Sequence, residues 1–110
     1  MNLLFICSRN QWRSPTAEQV WRNRPGFSVE SAGTSRRARK TVTAEMLQRA
    51  DVIFVMEQKH KNRLVADYQR IIQHKKLHIM DIPDDYQFMD PALVKLIEER
   101  VSNLLGQGGR

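Results

Sequence analysis

The chain has 110 residues and carries 18 Lys and Arg against 12 Asp and Glu, which gives a formal net charge of +6 at pH 7. This length holds one compact domain and excludes a multidomain machine. The hydrophobic fraction of 41% and the charged fraction of 27% exclude wholesale disorder and a fibrous repeat, and the excess of positive charge suits a negatively charged partner or substrate.

The sequence also argues against a membrane protein and against a disulfide-linked protein. The longest apolar runs, such as residues 3–7, have five residues, whereas a membrane-spanning helix needs roughly 20. No basic segment precedes that run as it would in a signal peptide, so we expect a cytoplasmic protein with no membrane partner. Cys7 is the only cysteine, which rules out an internal disulfide and a cysteine-based zinc site.

The three histidines give no sign of a metal site. His74 and His78 are four residues apart, a spacing that binds metals on a helix, but they straddle a predicted change from helix to strand. No carboxylate joins them in register, so we predict that both are solvated. His60 is likewise predicted to lie on the polar face of a helix. We therefore expect neither a metal nor another cofactor.

The chain begins with a strand pattern followed by a helix pattern. The continuous apolar run of residues 3–6 predicts a strand that is buried on both faces and ends at Cys7. Ser14 and Pro15 then predict a helix start, with Ser14 as the N-cap and Pro15 at the first helical position. The sequence Arg-Pro-Gly at residues 24–26 predicts the end of this helix.

The middle of the chain contains two more predicted strands. Residues 27–30 alternate apolar and polar side chains like a strand, and residues 31–34 predict the turn that leaves it. The basic run at 36–40 has no apolar periodicity and predicts a solvated loop. A short helix is predicted at 43–50, and the apolar run at 52–56 is the strongest strand prediction of the chain.

The last part of the chain repeats the alternation of helix and strand. Residues 57–72 predict a helix, and residues 77–82 predict a fourth strand. Pro91 predicts the start of a last helix with apolar residues at helical spacing, and Gly106 predicts its end. We therefore expect an α/β fold in a single domain, residues 1–105, followed by a flexible tail, residues 106–110.

The alternation of strands and helices predicts three layers, with a four-stranded parallel sheet covered by helices on both faces. Ligands bind such sheets beyond the carboxyl ends of the strands. The loops after Cys7, Met56 and Ile82 should converge at that edge. Any site of this protein is therefore expected there.

The loop from Cys7 to Arg13 carries the chemistry. A loop between a buried strand and a helix N-terminus directs backbone N–H groups inward, and together with the helix dipole these favour an oxyanion. The same field favours a thiolate at Cys7. Arg13 supplies a planar fork for two phosphoryl oxygens, and Ser14 can donate a hydrogen bond to the thiolate. The predicted phosphate-binding residues are Ser8, Arg9, Asn10, Gln11, Trp12 and Ser14.

A nucleophile of this kind needs a proton donor for the leaving oxygen. A carboxyl group near the same sheet edge can protonate that oxygen and then act as the base for the incoming water. Asp84, Asp85 and Asp90 all follow the fourth predicted strand, so the sequence leaves three candidates for this role.

The sequence resembles the low-molecular-weight protein tyrosine phosphatases. The specific part of the resemblance is Cys7-x5-Arg13-Ser14-Pro15 with Asn10 inside the loop, followed by Ala17-Glu18. Weaker similarity continues in Ser31-Ala32-Gly33-Thr34, in residues 51–57, and in Asp81-Ile82-Pro83-Asp84 before Tyr86. The resemblance covers most of the chain in patches.

The resemblance implies a metal-independent phosphatase that acts on phosphorylated protein, with phosphotyrosine as its substrate and a phosphocysteine intermediate. It gives Cys7 the role of nucleophile, Arg13 that of phosphate clamp and Asn10 that of a loop-shaping residue. The general acid falls on Asp84. Trp12 and Tyr86 are open to two interpretations, as aromatic walls that select a phenyl phosphate or as packing residues.

The chain departs from the family pattern in three places. Only residues 35–50 lie between the Ser-Ala-Gly-Thr turn and the third strand, where the family has another helix, so we expect part of the substrate rim to be absent. The family's Asp-Pro-Tyr reads Asp-Asp-Tyr at 84–86, whereas an Asp-Pro pair occurs at 90–91, so Asp85 and Asp90 stay alternatives for the acid. Trp12 stands where many members have a second loop cysteine.

Two other functions stay open on the sequence. An arsenate reductase can use the same fold and loop, but with Cys7 as the only cysteine it would need an external thiol. A non-catalytic protein could hold a phosphoryl group in the loop and bind protein or nucleic acid through its basic surface. Of these partners, we expect a phosphorylated protein rather than a nucleic acid.

Overall fold

The described part of the chain, residues 1–108 of a computed structural model, contains four strands and four helices. The strands are β1 (Asn2–Cys7), β2 (Ser28–Gly33), β3 (Val52–Val55) and β4 (Lys76–Ile79). The helices are α1 (Arg13–Trp21), α2 (Ala44–Arg49), α3 (Gln58–Ile72) and α4 (Pro91–Gly108).

The strands form one parallel sheet in the order β2-β1-β3-β4. Helices α1 and α4 contact each other on one face, and α2 and α3 contact each other on the other face. The predicted fold, a four-stranded parallel sheet between two helical layers, is confirmed. Because β1 lies inside the sheet, Cys7 at its carboxyl end is flanked by the ends of β2 and β3.

The alternation of side chains along β1 divides the core in two. Leu3, Phe5 and Cys7 point to the face that α1 and α4 cover, where Leu93 and Ile97 of α4 are fully buried. The side chains on the opposite face pack against α2 and α3; they are Leu4, Ile6, Ile53 and Val55. A strand buried on both faces explains why residues 3–6 read as a continuous apolar run.

The start of α1 differs from the prediction. The helix begins at Arg13 with Trp12 in the N-cap position, and no side chain caps it there. Ser14 is therefore not the N-cap, because its buried hydroxyl turns inward to Cys7. Pro15 lies at the third helical position, which it tolerates because an N–H in the first turn has no intrahelical partner.

The strand bounds also differ from the sequence patterns. β2 runs through to Gly33, so residues 31–33 pair with β1 instead of forming a turn. Their burial against the sheet overrides the weak strand propensity of Ser, Ala and Gly. β4 ends at Ile79, short of the predicted Ile82, because Asp81 has a left-handed backbone with a φ of 54°.

The last helix is longer than predicted. α4 begins at Pro91 as expected but continues through Gly106 to Gly108, so the predicted end at Gly106 is wrong. A glycine costs an exposed helix about 1 kcal/mol, which the packed face of α4 outweighs. The rest of the predicted tail, residues 109–110, lies outside the described residues. Among residues 1–108, no helix has the length and apolarity needed to cross a lipid bilayer.

Gly33 gives a test of how tightly the end of β2 packs on the loop after β1. A Cβ at this position would lie 2.5 Å from the Ser8 carbonyl oxygen and 2.9 Å from the Asn10 nitrogen, both backbone atoms. We expect Gly33→Ala to lower the free energy of unfolding by about 1–3 kcal/mol, measured by urea denaturation.

Gly106 is the matched control, because nothing lies within 4 Å of a Cβ built there. Gly106→Ala should raise the free energy of unfolding by up to about 1 kcal/mol, since alanine is the better helix former. Equal stability of Gly33→Ala and the unsubstituted protein would contradict the tight packing.

Candidate active site

The segment from Cys7 to Arg13, here named the Cys7 loop, connects the end of β1 to the N-terminus of α1. In the described residues, no backbone carbonyl accepts a hydrogen bond from the N–H groups of residues 8–12. These donors and the positive end of α1 make the inside of the loop suitable for an anion. The loop lines a cleft of about 150 Å³; the lining residues are Cys7, Ser8, Arg9, Gln11, Trp12, Arg13 and Asp84.

Asn10 holds the Cys7 loop in shape. Its backbone is left-handed, with a φ of 52°, a conformation that asparagine tolerates better than most residues. Its buried side-chain amide donates to Ser14 Oγ and to Ser31 Oγ, each at 2.9 Å. Ser31 Oγ donates in turn to Glu18 Oε1 at 2.5 Å. These bonds tie the loop to β2 and α1, in keeping with the loop-shaping role that the resemblance implies.

Ser14 lies where it can stabilise a negative sulfur. Its Oγ is 2.9 Å from Cys7 Sγ, and both side chains are buried. Since Asn10 donates to Ser14 Oγ, the hydroxyl proton of Ser14 is left for another acceptor. The choice lies between Cys7 Sγ and the Ala32 carbonyl oxygen at 3.3 Å. A thiolate, being charged and closer, is the stronger acceptor.

Arg13 is a buried cation with one edge turned to the cleft. Its side chain is 2% exposed. Nη1 donates to Glu57 Oε1 at 2.5 Å and to the Ile82 carbonyl oxygen at 2.8 Å, which uses both of its N–H groups. Nε and Nη2 then remain as a pair of donors with the spacing of two phosphoryl oxygens. The guanidinium is thus fixed at one end and open at the other.

Glu57 supplies the counter-charge for Arg13. Burial raises the pKa of this carboxyl, but the hydrogen bond and the positive charge of Arg13 outweigh burial and hold the pKa below its usual value. Glu57 is therefore ionised at neutral pH. A buried guanidinium without such a partner would cost several kcal/mol, so Glu57 is what allows Arg13 to face the cleft.

The three candidate carboxyls differ in position. Asp84 lines the cleft with an exposed side chain, and its Oδ1 lies 3.6 Å from Arg13 Nε. Asp90 is occupied at the start of α4, where its Oδ1 accepts a hydrogen bond from the Ala92 backbone N–H at 2.9 Å. Asp85 is exposed and does not line the cleft. Of the three carboxyls, Asp84 alone lines the cleft.

His60 is buried, so the prediction that it lies on a polar face is wrong. It is 1% exposed, because the first turn of α3 packs against the Cys7 loop. Its Nδ1 accepts a hydrogen bond from the Glu57 backbone N–H at 3.0 Å. The ring proton of the neutral form is then on Nε2, which donates to Ser8 Oγ at 2.8 Å. Burial, followed by the positive charge of Arg13, lowers the pKa of His60 to about 4.

Sequence reasoning gave Glu57, His60 and Ser31 no role in the site. A signal existed for the first two, since they have the spacing of a capping box with histidine in the place of Glu or Gln. No local signal marks Ser31, because its partner Asn10 lies 21 residues away in sequence.

The remaining predicted residues are divided between the cleft and the core. Trp12 lines the cleft with 36% of its surface exposed, whereas Tyr86 packs against the core and does not line the cleft. His74 is exposed, and His78 is half-buried against the ring of Phe54 rather than solvated. Within residues 1–108, no group of three His, Cys, Asp or Glu side chains is placed to hold a metal ion.

The buried His60 predicts a pH dependence of stability. As the pH falls from about 6.5 to about 4, the unfolded chain binds a proton at this histidine and the folded chain does not, so the free energy of unfolding should fall. His60→Gln keeps an N–H donor toward Ser8 but does not titrate. The free energy of unfolding of this variant should fall over this pH range by up to about 3 kcal/mol less than that of the unsubstituted protein. Urea denaturation at several pH values measures the difference.

The control for this prediction is His74→Gln, which removes an exposed histidine from the C-terminal side of α3. It should follow the pH dependence of the unsubstituted protein. If His60→Gln also follows that dependence, the ring of His60 is not held neutral in the folded protein.

Comparison with known proteins gives structural similarity only. No protein-family model matches the chain, and no curated protein matches it at a significant level. Solved structures do match. The tyrosine phosphatase Wzb from Escherichia coli K30, in complex with phosphate, is 21% identical with a TM-score of 0.77, over 96% of this chain and 96% of that chain.

Two further structures show the same similarity. The low-molecular-weight protein tyrosine phosphatase from T. tengcongensis is 22% identical with a TM-score of 0.75, over 97% of this chain and 99% of that chain. The YwlE arginine phosphatase from Geobacillus stearothermophilus is 20% identical with a TM-score of 0.70, over 97% of this chain and 94% of that chain. The chain therefore has the fold of the low-molecular-weight protein tyrosine phosphatases.

Proposed function

We propose that the protein is a metal-independent phosphomonoesterase that acts on phosphorylated protein through a phosphocysteine intermediate. The observation that carries the proposal is that Cys7, the free edge of Arg13 and Asp84 line one cleft at the carboxyl end of the central strand. A nucleophile, an oxyanion clamp and a proton donor are the three parts that the reaction needs.

In the first step, Cys7 Sγ attacks the phosphorus atom of the bound monoester. The P–S bond forms as the bond between phosphorus and the leaving oxygen breaks, and Asp84 gives its proton to that oxygen. Arg13 and the backbone N–H groups of the Cys7 loop hold the non-bridging oxygens as negative charge builds on them. Ser14 stabilises the thiolate before the attack.

In the second step, a water molecule attacks the phosphocysteine from the side that the alcohol has left. Asp84, now ionised, takes a proton from this water, the P–S bond breaks, and the electron pair returns to Cys7 as a thiolate. Inorganic phosphate leaves. A precedent for a covalent step on this fold is a YwlE arginine phosphatase mutant, solved with a phosphorylated serine in its active site.

Phosphotyrosine is the substrate that we propose, because Trp12 places an exposed aromatic surface on the cleft. The structural neighbours include tyrosine phosphatases and an arginine phosphatase, so phosphoarginine is the competing substrate in a direct comparison. We further propose a cytoplasmic location, where a single free cysteine stays reduced.

Replacement of the nucleophile tests the mechanism. Cys7→Ser should lower kcat for para-nitrophenyl phosphate by at least about 10³-fold, whereas a chelator should leave the unsubstituted enzyme fully active. Rapid acid quench followed by mass spectrometry should find phosphate on Cys7. Turnover by Cys7→Ser at the unsubstituted rate would refute the phosphocysteine mechanism, and arsenate reduction without ester hydrolysis would replace the proposed function.

Replacement of the acid tests the assignment of Asp84. Asp84→Asn should lower kcat for a phosphotyrosine peptide by about 10²–10³-fold. The loss should be smaller for para-nitrophenyl phosphate, whose leaving group needs less protonation. Asp85→Asn is the matched control, since its carboxyl is exposed and lies outside the cleft. A larger loss in Asp85→Asn or Asp90→Asn than in Asp84→Asn would move the role to that residue.

A further inference from the structure

We propose that five cations beside the cleft make the enzyme prefer phosphopeptides with acidic residues next to the phosphorylated one. This inference rests on the proposed function and adds the substrate class to it. The cations, here named the basic rim, are Arg9, Arg36, Arg37, Arg39 and Lys40.

The backbone fixes the basic rim against the Cys7 loop. The Ser35 N–H donates to the Ser8 carbonyl oxygen at 2.9 Å, and the Arg39 N–H donates to the Arg9 carbonyl oxygen at 3.0 Å. The backbone at Lys40 is bound to the end of β2, because the Lys40 carbonyl oxygen accepts a hydrogen bond from the Gly33 N–H at 2.8 Å. The loop that carries four of the cations therefore packs against residues 8 and 9 of the Cys7 loop, and Arg9 itself lines the cleft.

The side chains of the basic rim are exposed and have no acidic partner in residues 1–108. Some exposed arginines elsewhere in the chain form ion pairs, as Arg49 does with Glu30 and Arg63 with Asp67. Five cations held near one another without counter-charge repel one another and create a positive potential at the mouth of the cleft. An anionic ligand relieves that repulsion.

The size of the cleft places the rest of the substrate on this surface. A cleft of about 150 Å³ is smaller than the roughly 300 Å³ at which ordinary ligand pockets begin, so it takes the phosphorylated side chain and no neighbouring residue. The residues on either side of the phosphorylated one must lie outside the cleft. Carboxylates at those positions meet the basic rim.

The distribution of charge favours an acidic peptide over a nucleic acid. A nucleic acid needs a continuous basic track that neutralises several successive phosphates. Here the basic rim borders one side of the cleft, and the segment after β4 carries the exposed carboxylates Asp81, Asp84 and Asp85. A polyanion that crossed the cleft would meet these carboxylates, whereas a short acidic segment can stay on the rim.

The test compares two phosphotyrosine peptides that differ only in having glutamate or glutamine on either side of the phosphotyrosine. We expect kcat/KM of the unsubstituted enzyme to be about tenfold higher for the acidic peptide at low salt, and this ratio to fall as NaCl is added. In the triple variant Arg36→Gln, Arg37→Gln, Arg39→Gln, the ratio should fall close to one.

The matched control is the triple variant Arg22→Gln, Arg70→Gln, Lys76→Gln, which has the same net charge. These cations are exposed and belong to the opposite edge of the sheet, since Arg22 follows the end of α1 and Lys76 begins β4. The control should keep the tenfold ratio. A ratio that falls equally in both variants would assign the preference to net charge and overturn the role of the basic rim.

The failures of the two proposals are distinguishable. If the unsubstituted enzyme hydrolyses both peptides with equal kcat/KM, the basic rim does not select acidic substrates, while the proposed function stands. If it hydrolyses neither peptide nor para-nitrophenyl phosphate, the proposed function is wrong. Loss of duplex DNA binding in the rim variant, with the peptide ratio unchanged, would assign the rim to nucleic acid and overturn the inference.

Discussion

The burial of one positive charge is the constraint on which the site depends. The buried Arg13 can face the cleft only because Glu57 and the Ile82 carbonyl oxygen hold one of its nitrogens. Those two partners follow β3 and β4, so the guanidinium joins the ends of three strands. The parallel order of the sheet brings these ends together, and the free edge of the fork is aimed by the same two contacts. The contacts that join the ends of the strands therefore also orient the Arg13 guanidinium.

The Cys7 loop is held by neutral hydrogen bonds as well as by that ion pair. Asn10 donates its side-chain amide protons to the hydroxyl groups of two serines. The neutral ring of His60 forms a hydrogen bond with the Ser8 hydroxyl. Burial disfavours the charged form of His60, and the positive charge of Arg13 disfavours it further, so the neutral form is favoured. The neutral ring of His60 therefore supports the Cys7 loop without adding a second positive charge next to Arg13.

The sequence predicts the sheet and the position of the Cys7 loop because the signals for both are local. The run of residues 3–6, the spacing from Cys7 to Arg13 and the helix after Pro91 each carry their signal within a few residues. Contacts between distant residues carry no such signal: the burial of His60 and the pairing of residues 31–33 with β1 depend on which segments meet in space. Which of the three aspartates lines the cleft likewise depends on how distant segments pack. The predicted start of α1 was wrong because the Ser14 hydroxyl contacts the Cys7 thiol instead of capping the helix.

The central position of β1 has a consequence for how the protein matures. β1, which ends at Cys7, leaves the ribosome before the partners of the Cys7 loop, which lie 44, 52 and 69 residues further along the chain, in Glu57, His60 and Ile82. Contacts so distant along the chain close late and fold slowly. A nascent or truncated chain that ends before Ile82 holds Cys7 but leaves Arg13 without one of its two anchors, so the site can be completed only once about three quarters of the chain has been synthesised.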